Sequence, residues 1–276
     1  LVLPPDLGSA LALGRGATVQ LVVDGSDPMT VGSATNTAVS LVQGYSQELL
    51  VERLAAQGVA APRVLGVEPA TWYNPELRTA VYVIPGLIGV ILTMTMVMLT
   101  AMAVARERER GTLEALIVSP VRPLEIVIGK ILPYVLIGYV QMTLILLCGA
   151  FVFGIPLQGS LALLYALSAA FIAVSLAIGL VFSTAARTQQ QAMQMSFFFL
   201  LPNILLSGFM FPFEGMPRPV QLLAQALPLT HFLRIVRGIT LKGGGWDDVM
   251  VEFQWLAALL VVIVAVAALR FKKKLL

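Results

Sequence analysis

Long uncharged segments alternate with short charged ones along most of this chain. Residues 79–105 and 131–186 contain no Asp, Glu, Lys or Arg. A bilayer crossing needs about 20 apolar residues, so the second segment suits two helices, and the Gly-Pro-Gly pattern at 154–159 supplies the turn. Two further apolar segments follow. The pattern predicts five membrane spans, at about 83–105, 130–153, 160–184, 190–213 and 253–270.

The first 82 residues have a different pattern. Residues 17–27 alternate apolar and polar positions as a strand does, residues 30–57 have helical periodicity, and residues 61–69 resemble a second strand. The DGSD sequence that contains Asp24 and Asp27 favours a turn over a cation site. The predicted fold is a membrane all-α bundle over residues 83–276, preceded by a small α/β domain over residues 1–82.

The composition supports a membrane protein, and it argues against a nucleic-acid-binding protein and against an internal disulfide. The chain has 276 residues, of which 58% are hydrophobic and only 12% are charged, whereas soluble domains carry about 25% charged residues. The net charge of +3 is too small to indicate a nucleic-acid partner. The single cysteine, Cys148, excludes an internal disulfide, and with one histidine, His231, the chain is not expected to hold a metal or other cofactor.

Lys and Arg in the loops predict the orientation, because cytoplasmic loops are enriched in them. The 106–129 segment, Arg187 and the C-terminus carry such residues on one side, which we assign to the cytoplasm. The 214–251 loop, on the other side, also carries four, which weakens the contrast. Residues 1–82 are then extracytoplasmic. Because the chain starts at Leu1 without a signal peptide, we expect a further span upstream, which would make six spans in the full protein.

The segment ARERERGTLEALIVSPVRPLEIVIGK, residues 105–130, concentrates charge between two predicted spans. Gly111 is expected to end the preceding helix, Thr112 to cap a new one, and Glu114 to lie in its first turn. Its apolar face comprises Leu113, Leu116 and Ile117. The segment therefore predicts a short helix at about 112–119. Composition alone favours an interfacial anchor; the alternative is a helix that docks on a soluble partner.

The same segment resembles the signature of the ABC-2 family of membrane permeases, which are the transmembrane subunits of ATP-driven exporters. The matching residues are Glu107, Arg108, Glu109, Gly111, Thr112, Leu113, Glu114, Leu116, Pro120, Glu125, Gly129 and Lys130. Two further segments agree in order: WYNPELRTAVYVIPGLIGVI at 72–91 and LPLTHFLRIVRGITLKG at 227–243. Three ordered matches are more specific than one.

The resemblance implies that the helix at 112–119 is a coupling helix on an ABC ATP-binding subunit. The implied contact residues are Glu107, Arg108, Glu109, Gly111, Thr112, Leu113, Glu114, Leu116 and Ile117. ATP and Mg²⁺ would be bound by that partner, because this chain lacks the phosphate-loop pattern, so the chain itself is not expected to be an enzyme. A second permease subunit, identical or paralogous, would complete a dimer in a bacterial inner membrane.

Residues 218–241 allow two interpretations. Phe232, Ile235, Val236 and Ile239 can share one helical face. The segment could be an interfacial helix on the extracytoplasmic side, or a pair of half-inserted helices at 218–227 and 229–241 that closes the outer mouth of a pathway. The resemblance supports the second interpretation and makes the gate candidates His231, Arg234 and Arg237.

The interiors of the spans indicate the cargo class only broadly. We predict no acid or base within them, taking Lys130 as an edge, which disfavours ion-coupled transport. An apolar interior predicts a lipophilic or amphipathic cargo. The alternative function is a membrane-anchored scaffold or sensor with an extracytoplasmic ligand-binding domain; an uncoupled channel is a third hypothesis.

Overall fold

The computed structural model describes residues 2–12, 17–57, 65–111 and 123–272. The chain divides into two compact units, Leu1–Tyr82 and Val83–Leu276. The elements of the first unit are α1 (Leu7–Ala12), β1 (Ala17–Asp24), α2 (Pro28–Gln57) and β2 (Leu65–Trp72). The strands pair in parallel, from Ala17 opposite Leu65 to Asp24 opposite Trp72. Parallel strands need a crossover connection, and α2 provides it.

The DGSD sequence forms the turn that leads into α2. The backbone N–H of Ser26 donates to Asp24 Oδ1 at 3.0 Å, and the hydroxyl of Thr30 donates to Asp27 Oδ2 at 2.8 Å. Asp27 directly precedes Pro28, the first residue of α2. The two carboxylates therefore stabilise a turn and a helix start, which confirms the prediction of a turn.

Helices make up the second unit. They are α3 (Thr79–Glu109), α4 (Pro123–Phe151), α5 (Leu161–Ala185), α6 (Gln189–Leu206), α7 (Arg218–Gln225), α8 (Pro228–Thr240) and α9 (Trp246–Lys272), with a 3-10 turn at Phe213–Gly215. Within the described residues, four segments are long and apolar enough to cross a membrane: Thr79–Glu109, Ile131–Phe151, Leu161–Ala185 and Trp246–Arg270. Most of the described residues are thus helical, and four of their helical segments are candidate spans.

The predicted span at 190–213 is not among these four. Helix α6 has only 18 residues and ends at Leu206, and Gly208, with φ of +86°, lies beyond its end. Its first turn contains Gln189, Gln190 and Gln191, which lowers its mean hydropathy. The prediction of five spans is therefore not confirmed, because a charge-free segment need not be apolar enough to span.

The last long helix begins before the last predicted span. Helix α9 starts at Trp246 rather than near residue 253, and its candidate span includes Glu252. The predicted bounds follow the uninterrupted apolar sequence, whereas a helix can extend through a polar turn, and Glu252 lies in that turn. The prediction that the spans contain no acid or base stays a prediction.

Helix α8 lies in the hydrophobic core of the second unit. Leu229, Phe232, Ile235 and Val236 are each 0% exposed, and the Phe232 ring stacks on Phe171 of α5 with centroids 4.0 Å apart. Fully burying a side chain of this size stabilises a protein by roughly 1.5–3 kcal/mol in water. A short helix that is buried to this extent packs inside the unit and does not lie on its surface.

Close packing of α3 on its neighbours depends on small residues. A Cβ atom on Gly179 of α5 would lie 2.6 Å from the Val97 carbonyl oxygen of α3, and one on Gly89 of α3 would lie 2.6 Å from Leu229 Cδ1 of α8. Contacts this short exclude a larger side chain without movement. Small residues let membrane helices approach in this way.

Candidate functional site

Two sets of polar side chains lie at the two ends of the helical unit. The first set is at the C-terminal end of α3, where the sequence predicts contact with an ATP-binding subunit. Helix α3 ends at Glu109, and Gly111 follows with φ of +67°, a conformation that glycine adopts at low cost. This confirms that Gly111 ends the helix. The predicted helix at 112–119 lies outside the described residues, as do Thr112, Leu113, Glu114, Leu116 and Ile117.

Gln189 binds Glu109, one of the predicted contact residues, and also Arg106, which precedes them in the chain. Its side-chain amide donates to Glu109 Oε2 at 2.6 Å, and its carbonyl oxygen Oε1 accepts from Arg106 Nε at 3.0 Å. The backbone N–H of Gln189 also donates to Glu109 Oε1 at 3.1 Å. Because Gln189 is the first residue of α6, the Glu109 carboxylate lies at a helix N-terminus, where the helix dipole favours negative charge.

Arg108 makes the complementary contact at the end of α5. Its Nη1 donates to the carbonyl oxygen of Ala186 at 2.9 Å and to that of Ser183 at 3.4 Å. Ala186 is the C-cap of α5, and a cation is favourable at a helix C-terminus. Glu107 is half-buried. The end of α3 therefore places an acid at the start of α6 and a base at the end of α5.

Apolar packing holds the same region together. Ala101 and Ala105 of α3, Ala186 of the short α5–α6 connection and Ala192 of α6 form a buried cluster, each 0% exposed. Methyl side chains allow the backbones to approach closely. We name Arg106, Arg108, Glu109 and Gln189 the clamp, and residues 186–188 the corner.

The second set of polar side chains is at the opposite end and centres on Glu252 of α9. His231 Nδ1 lies 2.6 Å from Glu252 Oε2, and Arg234 Nη1 donates to Glu252 Oε1 at 3.0 Å. The side chain of His231 is 1% exposed and that of Glu252 is 19% exposed. One carboxylate therefore binds two of the three predicted gate residues, and both belong to α8.

The other contacts of His231 fix the orientation of its ring. Its Nε2 lies 2.8 Å from the Gln225 carbonyl oxygen, and its ring stacks on Trp255 with centroids 5.5 Å apart. A carbonyl oxygen and an ionised carboxylate only accept hydrogen bonds. Each ring nitrogen of His231 therefore faces an acceptor, one on Glu252 and one on the backbone of Gln225.

Arg234 and Arg237 also have partners within the chain. The Arg234 guanidinium carbon lies 4.4 Å from the centroid of the Phe213 ring, a cation–π geometry. Arg237 Nη1 donates to the Gly208 carbonyl oxygen at 3.0 Å, which joins α8 to the chain after α6. The predicted gate residues thus attach α8 to its surroundings.

Sequence reasoning missed Gln189, Glu252 and Gly208. Gln189 is a neutral residue 80 positions from Glu109, so no local pattern connects the two. Glu252 had a usable signal, since it is the last acid before a long apolar segment. Such a residue is costly near a membrane unless it has a partner.

Comparison with known proteins identifies the family. The family model described as ABC-2 family transporter protein matches residues 1–269. The chain is 37% identical over 246 residues to the probable multidrug ABC transporter permease YbhR of Escherichia coli K12. The aligned residues cover 89% of this chain and 65% of that relative. It is 31% identical over 277 residues to the probable multidrug ABC transporter permease YbhS of the same organism, covering 100% of this chain and 72% of the relative.

A third relative is the inner membrane transport permease YhhJ of Escherichia coli K12, 30% identical over 275 residues, with 98% of this chain and 72% of the relative covered. The family match extends over the N-terminal unit as well as the helical unit. The resemblance found in three ordered segments is thereby confirmed, and this chain belongs to the ABC-2 family of transporter proteins.

Proposed function

We propose that this chain is the permease subunit of an ATP-driven ABC-2 exporter in a bacterial inner membrane. The observation that carries the proposal is the α3–α4 connection. Two long apolar helices, α3 and α4, flank residues 110–122, and this connection contains the family's charged signature. A short segment between two spans is a suitable place for a soluble partner to act on both.

ATP hydrolysis belongs to a separate subunit in this proposal, and two permease subunits work with two such partners. ATP can drive transport only if it binds the partner differently in the inward and outward states. The predicted coupling helix at 112–119 would carry that difference to α3 and α4. Two relatives are named as probable multidrug ABC transporter permeases, which supports a lipophilic or amphipathic cargo here.

The proposed topology places the α3 C-terminal end in the cytoplasm and residues 1–82, as the small α/β domain, outside. Helix α6 would be the fifth span. Helices α7 and α8 would form the outer gate, and the contacts of His231, Arg234 and Arg237 would hold it closed. The burial of α8 supports this assignment, since a gate helix must fill the pathway when transport stops.

Co-purification tests the partner. Solubilised full-length protein is expected to retain an ABC ATPase, whereas Leu113→Asp and Leu116→Asp are expected to lose it, because a charge would be placed on the predicted docking face. Leu41→Asp is the matched control, since Leu41 of α2 is 68% exposed and lies in the other unit. Retention of the ATPase by both interface variants would contradict the coupling-helix assignment.

Transport in vesicles tests the activity. Reconstituted complex is expected to move a fluorescent lipophilic cation only when ATP and Mg²⁺ are present. If the complex binds its ATPase but shows no ATP-dependent movement across a panel of drugs and lipids, the exporter assignment is wrong. That outcome would favour the scaffold hypothesis instead.

A further inference from the structure

We propose that Gln189 is a positioning residue for energy coupling, acting through the clamp. The inference rests on the proposed function and extends it to a part of the chain outside the coupling signature. Force applied at 112–119 would reach α3 first. The clamp would then make α3, α5 and α6 move as one body at this end.

The clamp is suited to this role because its contacts join three helices in complementary ways. Glu109 receives two hydrogen bonds from the first residue of α6, and Arg108 donates to the last turn of α5 and to its C-cap. Both contacts match the sign of the helix dipole that they meet. A displacement of α3 away from the corner would break several contacts together, so the connection is stiff.

Gln189 is central because it contacts both charges. Its amide group donates to Glu109 and accepts from Arg106, so one neutral side chain connects an acid and a base on the same helix. The corner is also held internally, since Thr188 Oγ1 accepts from the backbone N–H of Gln191 at 3.1 Å. The backbone N–H of Arg187 donates to Gln191 Oε1 at 2.8 Å. The corner therefore offers a defined surface to α3.

The polar side chains of the clamp are more exposed than the alanines that pack beneath them. Glu109 is exposed and Gln189 is half-buried, whereas the alanines beneath them are 0% exposed. Removal of the polar contacts should leave the apolar packing in place. The fold and the ATPase-binding segment should therefore tolerate a change that loosens transmission.

The test compares transport per ATP hydrolysed in the reconstituted complex. Gln189→Ala is expected to lower this ratio about threefold or more, a size typical of substitutions that weaken coupling between sites, while ATPase binding stays as in the wild type. Gln190→Ala is the matched control, because Gln190 is exposed and occupies the next position of α6. If Gln189→Ala lowers the folded yield, Glu109→Gln, which keeps the side-chain shape, is expected to lower the ratio as well.

A reversible cross-link distinguishes a loss of coupling from misfolding of the variant. In a Cys148→Ser background, the double variant Glu109→Cys and Gln189→Cys should transport poorly per ATP. A short bis-methanethiosulfonate linker should restore the ratio, and a reductant should abolish the rescue. An unchanged ratio in Gln189→Ala, or a linked pair that stays uncoupled, would overturn the proposal. Absence of ATP-driven transport in the wild type would instead overturn the proposed function on which it rests.

Discussion

The two ends of the helical unit are both held by charged side chains, but in opposite ways. At the α3 C-terminal end the clamp uses exposed or half-buried groups at the ends of α5 and α6. At the opposite end a mostly buried carboxylate, Glu252, binds a buried histidine and a partly exposed arginine. Buried charges are costly when a partner is removed, whereas exposed pairs contribute little. We therefore expect the end that contains Glu252 to determine stability, and the end that contains the clamp to determine coupling.

The largest expected effect on stability is that of Glu252→Ala. Its removal leaves His231 and Arg234 without their carboxylate, and breaking a pair of this kind costs about 3 kcal/mol. The melting temperature of the solubilised protein should fall by roughly 6–12 °C. Glu214→Ala, which removes an exposed acid near the same end, should melt close to the wild type. Equal melting temperatures for the two variants would show that Glu252 does not stabilise this end.

His231→Phe should have a smaller effect on stability. The phenyl ring keeps the stacking surface against Trp255 but cannot bond to Glu252 or to the Gln225 carbonyl oxygen. Leaving buried acceptors without a donor costs about 1–3 kcal/mol. Thermal unfolding should place this variant between the wild type and Glu252→Ala. A melting temperature at or above the wild-type value would mean that the two hydrogen bonds are not needed.

Arg108→Ala should cost less again. It removes one cation and its hydrogen bonds from the end of α5, and interactions of this kind contribute about 0.3–1 kcal/mol at exposed sites. Arg108→Lys keeps the charge and should recover part of the loss, because a lysine donates without the planar fork of arginine. Melting curves of the three proteins should follow this order; a lysine variant that melts below the alanine variant would contradict it.

The smallest stability effect is expected for Gln189→Ala, at about 0.5 kcal/mol or less, because its partners Arg106 and Glu109 are exposed. Its melting temperature should be close to that of Gln190→Ala, although only Gln189→Ala should lose transport per ATP. Gln189→Ala is therefore expected to have the smallest effect on the melting temperature and the largest effect on transport per ATP. A loss of stability as large as that of Glu252→Ala would remove the distinction between the two ends.

Helix positions could be predicted from the sequence because apolar length is a local property. The observed α3, α4 and α5 overlap the predicted spans, and the strand–helix–strand order of the first unit is also seen. Pro123 begins α4 and Gly111 follows the end of α3, since proline and glycine act through their own backbone restrictions. Such signals determine where a helix starts or ends whatever other helices pack against it.

The contacts at both ends could not be predicted in the same way. Gln189 pairs with residues about 80 positions away, and a single glutamine carries no signal of its partner. The pattern of α8 fits an interfacial helix as well as a buried one, and only the packing of α3, α5 and α9 around it distinguishes them. Glu252 was missed because helix boundaries in polar flanks are poorly marked.

Sidedness is the most direct test of the account, because an ATPase in the cytoplasm can act only on an end that faces it. In a Cys148→Ser background, Arg110→Cys and Glu214→Cys introduce thiols at the two ends. A membrane-impermeant maleimide should label Arg110→Cys in inside-out vesicles and Glu214→Cys in intact spheroplasts. Labelling of Arg110→Cys from the outside of spheroplasts would place the clamp beyond the reach of the ATPase and contradict the account.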